Sequence, residues 1–600
     1  MDKIAVLDFG GQYAHLIANK IRRLGVYTEI HDGEISAEKL REYKGLILSG
    51  GPASVHAEDG LKCDPKIFEL GIPVLGICYG HQLVAHTLGG KVENGKVSEY
   101  GSAVVDINIK KGVLEGVADT ENAWMSHFDQ VIEAPDGFEV TASTSDCPIA
   151  ATANYERNIY TLQFHPEVTH TPCGMRVLEN FVGITRALKE WSIDTYIESI
   201  TKEIQEKVGD RKVFLLISGG VDSTVAFLLL SKALGQDRVY GLFVDIGFMR
   251  LNEKKEVTEA LKKVGVTNLH VYDAGEEYFS ALEEKYEPEE KRKIIGDLFI
   301  DIQAKVSEDL GLNPDEWIIA QGTIYPDTIE TGGTKHSDTI KTHHNRVDKM
   351  QKLIDEGKVI EPISQLYKDE VRLVGERIGL IDEMVWRHPF PGPGLAVRTL
   401  CTEGENYPED VSGLEAEMNE SISDSGFKVK VLPIKSVGVQ GDERTYAHPA
   451  VIYGGEIDWS LLNKLSTQLT NQFPKVNRVV LGLRPDSFDS WVVKKSYLSK
   501  DRISVIQNAD KVVMDYISEA GMHREIWQFP TVLIPVDVNE EGGESIVLRP
   551  VCSEEAMTAN FYPMDVEKLG ELVKRLSTVS GVGGIFYDIT NKPPGTIEWE

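Results

Sequence analysis

Six hundred residues, 42% of them hydrophobic and 26% charged, are too many for one core and predict a soluble globular chain of roughly three to five domains. A net charge of −31 argues against non-specific binding to nucleic acid or to an acidic membrane. No apolar run approaches membrane-spanning length, no signal peptide precedes the first charges, and the six cysteines lack metal-like spacing, so a cytoplasmic setting with free thiols is expected.

Taken in order, Ile4–Leu7 and Gly45–Ser49 read as short buried strands on either side of a helix, His15 to Leu24. Such alternation predicts a parallel α/β sheet. Chemistry enters at Gly76-Ile-Cys78-Tyr79-Gly80-His81-Gln82. A strand that runs into Gly-x-Cys-x-Gly has the layout of a nucleophile elbow. Small neighbours permit a strained turn there, and the helix N-terminus favours a thiolate. A thiolate needs a base and a group to orient that base. Gln163-Phe164-His165-Pro166-Glu167 ends a later strand with an imidazole, and a carboxyl follows two residues on. Gly51, in Ser49-Gly50-Gly51-Pro52, offers one oxyanion N–H, and Tyr79 offers the second.

These motifs closely resemble the class I glutamine amidotransferases over nearly all of residues 1–190. The resemblance implies a Cys78–His165–Glu167 triad, a Cys78 thioester with glutamine, release of ammonia, and a glutamine-binding role for Gln82. The family's Ser-His-Gly-Asp stretch reads Ser126-His127-Phe128-Asp129 here. That departure leaves the contact made at Phe128 open.

The second segment, 191–400, opens with a helical stretch and then Phe214-Leu-Leu-Ile-Ser218-Gly219-Gly220-Val221-Asp222-Ser223-Thr224. A buried strand, two glycines and a helix N-terminus with hydroxyls make a phosphate cradle. It lacks the lysine of a Walker loop. The stretch resembles the pyrophosphate loop of the N-type ATP pyrophosphatases, which implies ATP binding by Ser218 to Thr224. Asp245 closes the next strand, where it could meet the nucleotide or cap the following turn. Lys291, Arg292 and Lys293 form a basic run that suits a nucleotide monophosphate. A Gly-rich polar loop leads to Lys341, His343 and His344. These read as a lid that stabilises charge, since adjacent histidines rarely share one metal ion. Arg387-His388-Pro-Phe-Pro-Gly-Pro-Gly-Leu395 reads as a rigid turn.

In this order the motifs resemble the glutamine-hydrolysing GMP synthetase family, in its longer, eukaryotic-type form. The resemblance implies two chemistries: XMP is adenylylated by ATP with Mg²⁺, and ammonia then displaces AMP. No side-chain cluster predicts a resident metal, although Asp222 could touch the Mg²⁺ that accompanies ATP. The nearest rivals are other glutamine-fed ATP pyrophosphatases, such as NAD or asparagine synthetase. A third is a regulatory binding protein of the same fold.

Residues 402–426 are acidic and read as a linker and surface excursion. Beyond them lies a weak internal repeat. Val431-Leu-Pro433 to Tyr446-Ala-His-Pro resembles Val532-Leu-Ile-Pro535 to Val547-Leu-Arg-Pro, and each stretch is followed by a helix and a strand. The expected units are 401–530 and 531–600, both α+β. Two units in one chain predict a monomer or at most a weak homodimer. The Pro-Pro-Gly turn before Trp599 predicts a tail that is tied down. By resemblance, Arg292, Asp442, Gln528, Lys592, Ile597 and Glu598 contact XMP. The fold class expected overall is multidomain α/β, with two parallel-sheet domains and an α+β tandem repeat at the C-terminus.

Overall fold

The computed structural model describes residues 1–600 apart from 12, 58–60, 310, 312, 314–315, 326–357, 441–442 and 554–558. Lys341, His343, His344 and Asp442 therefore lie outside the described residues. The chain divides into two compact units, one within 1–203, 323–355 and 363–377, the other within 204–322, 356–362 and 378–600.

In the first unit, strands β1 (Lys3–Asp8), β2 (Tyr27–Asp32), β3 (Gly45–Leu48), β4 (Val74–Ile77), β5 (Lys91–Ile107), β6 (Thr120–Glu133), β7 (Glu139–Ser143), β8 (Ala151–Asn154) and β9 (Ile159–Leu162) form one sheet. Its order is β2-β1-β3-β4-β9-β8-β7-β5-β6. The strands run parallel from β2 to β9 and antiparallel beyond. Side chains alternate between two apolar cores. Ile4 and Val6 pack with helices α1 (Ala14–Arg23) and α3 (Gly174–Thr185), whereas Ala5 and Leu7 pack with helix α2 (Tyr79–Thr87). Burial on both faces is why β3 and β4 are continuous runs of apolar residues and glycine.

The helix Lys368–Arg377 belongs to this unit by its contacts, although it comes from the second segment of the chain. Arg22 of α1 is buried, pairs with Glu370 at 3.1 Å, and lies about equally over the rings of Tyr27, Tyr367, Trp191 and Tyr325. An aromatic surround of this kind favours guanidinium over ammonium.

The second unit holds two larger sheets. β10 (Lys212–Ile217), β11 (Val239–Asp245), β12 (Leu269–Asp273), β13 (Trp317–Ala320) and β14 (Val359–Ile360) are all parallel, in the order β12-β11-β10-β13-β14. The chain leaves β10 for β11 on one side and returns to β13 on the other. Ligands of open α/β sheets bind at such a switch point. Helix α4 (Val221–Leu234) starts there and is buried along most of its length, matching the apolar run Val225–Leu230 at its centre.

The other sheet contains β15 (Lys428–Val431), β16 (Ser436–Gln440), β17 (Glu443–Tyr453) and β18 (Val476–Arg484). After β19 (Trp491–Val493) come β20 (Thr531–Ile534), β21 (Val536–Val538), β22 (Glu544–Leu548), β23 (Val551–Cys552), β24 (Asn560–Phe561) and β25 (Val582–Asp588). The order β15-β17-β18-β25-β22-β20 reads the same from either edge, with an antiparallel β18–β25 pair at the centre. In each half a parallel partner of the outer pair is reached through a helix, Trp459–Gln472 or Val566–Leu576. The suspected repeat is thus visible as two matching halves of one sheet.

Both edges of this sheet are covered. Residues 411–421, within the stretch expected to be a linker, form a helix beside β15 instead. Asn419 accepts from the Val429 N–H and donates to the Val429 carbonyl, and Glu415 accepts from the Val431 N–H. At the far edge Leu400 donates to the Leu533 carbonyl of β20. Side chains and a loop thereby occupy backbone groups that would otherwise invite another strand.

Candidate functional sites

The first site is built on the turn from β4 to α2. Cys78 caps α2 at φ 53°, a left-handed conformation costly for a residue with a side chain. Its flanking glycines are sterically required. A Cβ on Gly76 would sit 2.6 Å from the Gly80 carbonyl oxygen, and one on Gly80 would sit 2.3 Å from that of Leu48. The strain turns Sγ toward the Ser126 carbonyl, 3.6 Å away, with Gln163 Nε2 at 3.8 Å.

The His165 and Glu167 side chains are buried, and Nδ1 lies 2.7 Å from Glu167 Oε1. A carboxylate in that position fixes the tautomer and leaves Nε2 free to act. Nε2 makes no hydrogen bond among the described residues. Burial lowers the pKa of this imidazole, but the charge of Glu167 and then of Cys78 outweighs it, holding the ring well above its ordinary 6.5. Protonated His165 therefore adds stability in full below 6.5, and the contribution fades as pH rises through the folded-state pKa. The loss of thermal midpoint in Glu167→Gln is expected to be largest below pH 6.5 and to shrink at higher pH, which a calorimetric pH series would measure.

The expected oxyanion donors flank this centre. Gly51 approaches so closely that a Cβ there would meet the Phe9 carbonyl at 2.6 Å and the Tyr79 ring at 3.3 Å. Tyr79 is the first residue of α2, where an N–H has no partner within the helix. Gln82 is placed differently from the expectation. It is buried, and its Nε2 donates to the Asp129 carbonyl at 2.7 Å and to Gln163 Oε1 at 3.2 Å. Its amide hydrogens thus bind α2 to the neighbouring strands and form a wall of the pocket.

The second site lies where β10 meets α4. Gly219 has φ +82°, and a Cβ there would meet the Phe243 ring at 3.1 Å. Ser223 Oγ accepts from the Ser218 N–H, and Ser218 Oγ lies 3.1 Å from it, so the two hydroxyls share one corner of the loop. Gly322 presses on the same turn, since a Cβ there would lie 3.0 Å from Ser223. Val221 and Asp222 begin the helix. Thr224 is fully buried, and its hydroxyl donates to the Gly220 carbonyl at 2.8 Å. Asp245 caps its own turn by accepting from the Gly247 N–H at 3.1 Å. It also lines a cavity of about 600 Å³ with Lys254, Glu253 and Arg250. The donors around the loop, Asp222 and the two serines, are hard oxygens of the kind that suit Mg²⁺.

The C-terminal tail forms the third element. Trp599 is buried and donates to Asp588 at 2.9 Å. Glu598 receives both prongs of Arg398 at 2.9 Å, and Gln528 Nε2 lies 3.3 Å from the same carboxyl. Arg292 donates to the Glu600 carbonyl, while the neighbouring Lys291, wholly buried, pairs with the Glu600 side chain. The Ile597 carbonyl accepts from Arg549 at 3.1 Å. Lys592 bridges Ala559, and burial followed by the nearby Arg549 lowers its pKa. Gln528, Glu598 and Ile597 are brought together, with Arg292 anchoring the chain end. Arg398 was missed, its sequence signal being its position beside a motif already noted; Lys291 was noted in the basic run, but its partner is the Glu600 carboxyl.

Residues 5–185 match the glutamine amidotransferase class-I family, 192–301 the NAD synthase family, and 515–599 the GMP synthase C-terminal domain. A GMP synthase (glutamine-hydrolysing) of Leptospira interrogans is 47% identical over 605 residues, spanning 100% of this chain and 99% of the relative. Its counterpart in Syntrophomonas wolfei is 37% identical over the same shares, so the long form is not confined to eukaryotes. The Clostridium tetani protein of that name is 43% identical, with 81% of this chain matching 99% of the relative. The chain belongs to the glutamine-hydrolysing GMP synthases, ligases that consume glutamine, XMP and ATP to make GMP.

Proposed function

We propose that Cys78 is the glutaminase nucleophile, and the strained elbow beside the buried His165–Glu167 pair carries this reading. Sγ attacks the glutamine amide carbon, and Nε2 of His165 takes the thiol proton and returns it to the departing ammonia. The Gly51 and Tyr79 amides hold the oxyanion, and water later hydrolyses the thioester through the same imidazole. Glu167 keeps the ring in the productive orientation.

Ammonia is consumed at the second site. Ser218, Gly219, Gly220, Asp222 and Ser223 hold the β- and γ-phosphates of ATP. Thr224 keeps the loop in shape, and Asp245 borders the nucleoside. An ATP-using synthetase requires a divalent cation. Mg²⁺ bound with ATP would neutralise phosphate charge that a loop without a lysine cannot. The O2 of XMP attacks the α-phosphorus and pyrophosphate departs; ammonia then adds at C2 and AMP leaves. Glu598, Gln528, Ile597, Lys592, Arg292 and Asp442 surround XMP, and Lys341, His343 and His344 supply charge as pyrophosphate forms. Incubation with ATP, Mg²⁺, glutamine and each of XMP, deamido-NAD and aspartate should yield product with XMP alone. Product from either other acceptor would overturn the reading.

The two-sided sheet supports an enzyme that works as a monomer, because both of its edges are occupied. Sedimentation should give a species near 66.7 kDa across a wide concentration range. Asn419→Ala with Glu415→Ala frees the β15 edge and should cost about 1–3 kcal/mol while introducing concentration-dependent association. A tight dimer of the parent protein would refute this.

A further inference from the structure

Glu99, His127 and Cys147 stand far apart in sequence, yet one donor atom from each lies within 4.8 Å of the others. No spacing rule could flag them, because β5, β6 and the loop before β8 supply one residue each. Cys147 is fully buried, and the side chains of His127 and Glu99 are 3% and 9% exposed. We propose that this trio is a binding site for a soft divalent cation of the Zn²⁺ class, set behind the glutaminase pocket.

The tautomer of His127 is the first support. Nδ1 lies 3.1 Å from the Asp129 carbonyl oxygen, which can only accept, so Nδ1 carries a hydrogen. In the neutral ring Nε2 is then a bare acceptor, and it faces Glu99 Oε2 at 3.0 Å. Two acceptors at that distance need a proton or a cation between them. The surroundings are also those of a ligand set. A metal-bound histidine usually donates its other N–H to a carbonyl, and a ligating carboxyl usually has its second oxygen hydrogen-bonded. Here Thr144 donates to Glu99 Oε1 at 2.8 Å.

Charge balance favours a dication. A divalent ion with one thiolate, one carboxylate and one neutral imidazole is neutral overall. Three protein donors leave one tetrahedral position for water, after the trio closes to a donor spacing of about 3.5 Å. The site would act on its neighbour through β6: Ser126 supplies the carbonyl facing Cys78, and Asp129 supplies the one that holds Gln82.

The test uses the full chain carrying Cys78→Ala, which removes the competing catalytic thiol. Anaerobic titration with Co²⁺ should give a thiolate-to-cobalt absorption band that saturates at one equivalent and is displaced by Zn²⁺. Glu99→Gln should weaken binding about 10- to 100-fold, and Cys147→Ser should abolish the band. Absence of the band, or its survival in Cys147→Ser, overturns the proposal. If Cys147→Ser does not fold, X-ray absorption of the Zn²⁺-loaded Cys78→Ala protein decides. One sulfur among nitrogen and oxygen donors supports the trio, and any other sulfur count overturns it.

Discussion

Cys78→Ala should abolish glutamine-driven GMP synthesis, by at least about 10³-fold, while ammonia-driven synthesis stays within about twofold of the parent. Removal of Sγ deletes the nucleophile but little else. Its contacts with Ser126 and Gln163 are long, and the crowding that shapes the elbow comes from Gly76 and Gly80. Alanine meets the same left-handed backbone cost at φ 53° as cysteine does, so the fold should be unchanged. Steady-state assays with glutamine or ammonium chloride as nitrogen source read the split directly. Equal loss with both sources would refute the assignment of separate chemistries to the two sites.

Asp588→Asn should be the most damaging change outside the catalytic elbow. Asp588 is fully buried and meets Arg478 at 3.0 Å, Arg549 at 2.9 Å and the Trp599 indole at 2.9 Å. Two guanidiniums share one carboxyl. Burial, and next the repulsion of Arg549, lowers the Arg478 pKa to about 9. Backbone oxygens of Val437, Thr596 and Glu598 accept from Nη2 of Arg478. An amide at 588 keeps the shape but removes the carboxylate charge that the two guanidiniums share. Breaking a buried ion pair of this kind costs about 3–5 kcal/mol. The same arginines hold residues 596–598, so the tail should loosen and the KM for XMP should rise at least about tenfold. Glutamine hydrolysis should persist. Denaturant midpoints and XMP titrations check the two halves of the prediction; an unchanged KM in a folded variant would detach the tail from nucleotide binding.

What the sequence revealed follows from the range of the forces involved. The Cys78 elbow and the Ser218–Ser223 loop were legible because their glycines answer steric demands from nearby chain, and those demands fix residue spacing. Thr224 marks the limit of that signal, because a hydroxyl beside a phosphate loop looks the same in sequence whether it faces the ligand or the turn. Residues 402–426 looked like a linker because their composition is polar. The helix there is polar for a different reason: its partner is the backbone of β15, which asks for Asn419 and Glu415 rather than for an apolar stripe. Arg398, Lys291 and Asp588 were invisible as a group, since buried cations find their counter-charges across a hundred residues or more. The Glu99–His127–Cys147 trio was hidden because two strands and a loop supply one residue each, which leaves no motif spacing.

The matched halves of the C-terminal sheet carry a kinetic consequence. Arg478 lies in the first half, whereas Thr596, Glu598 and Trp599 end the second, and the clamp between them closes inside one polypeptide. Covalent connection sets the effective concentration of its two parts, whatever the dilution. Turnover per enzyme molecule should then be flat from micromolar to picomolar protein, and no mixed assembly could poison the site by supplying a defective neighbour.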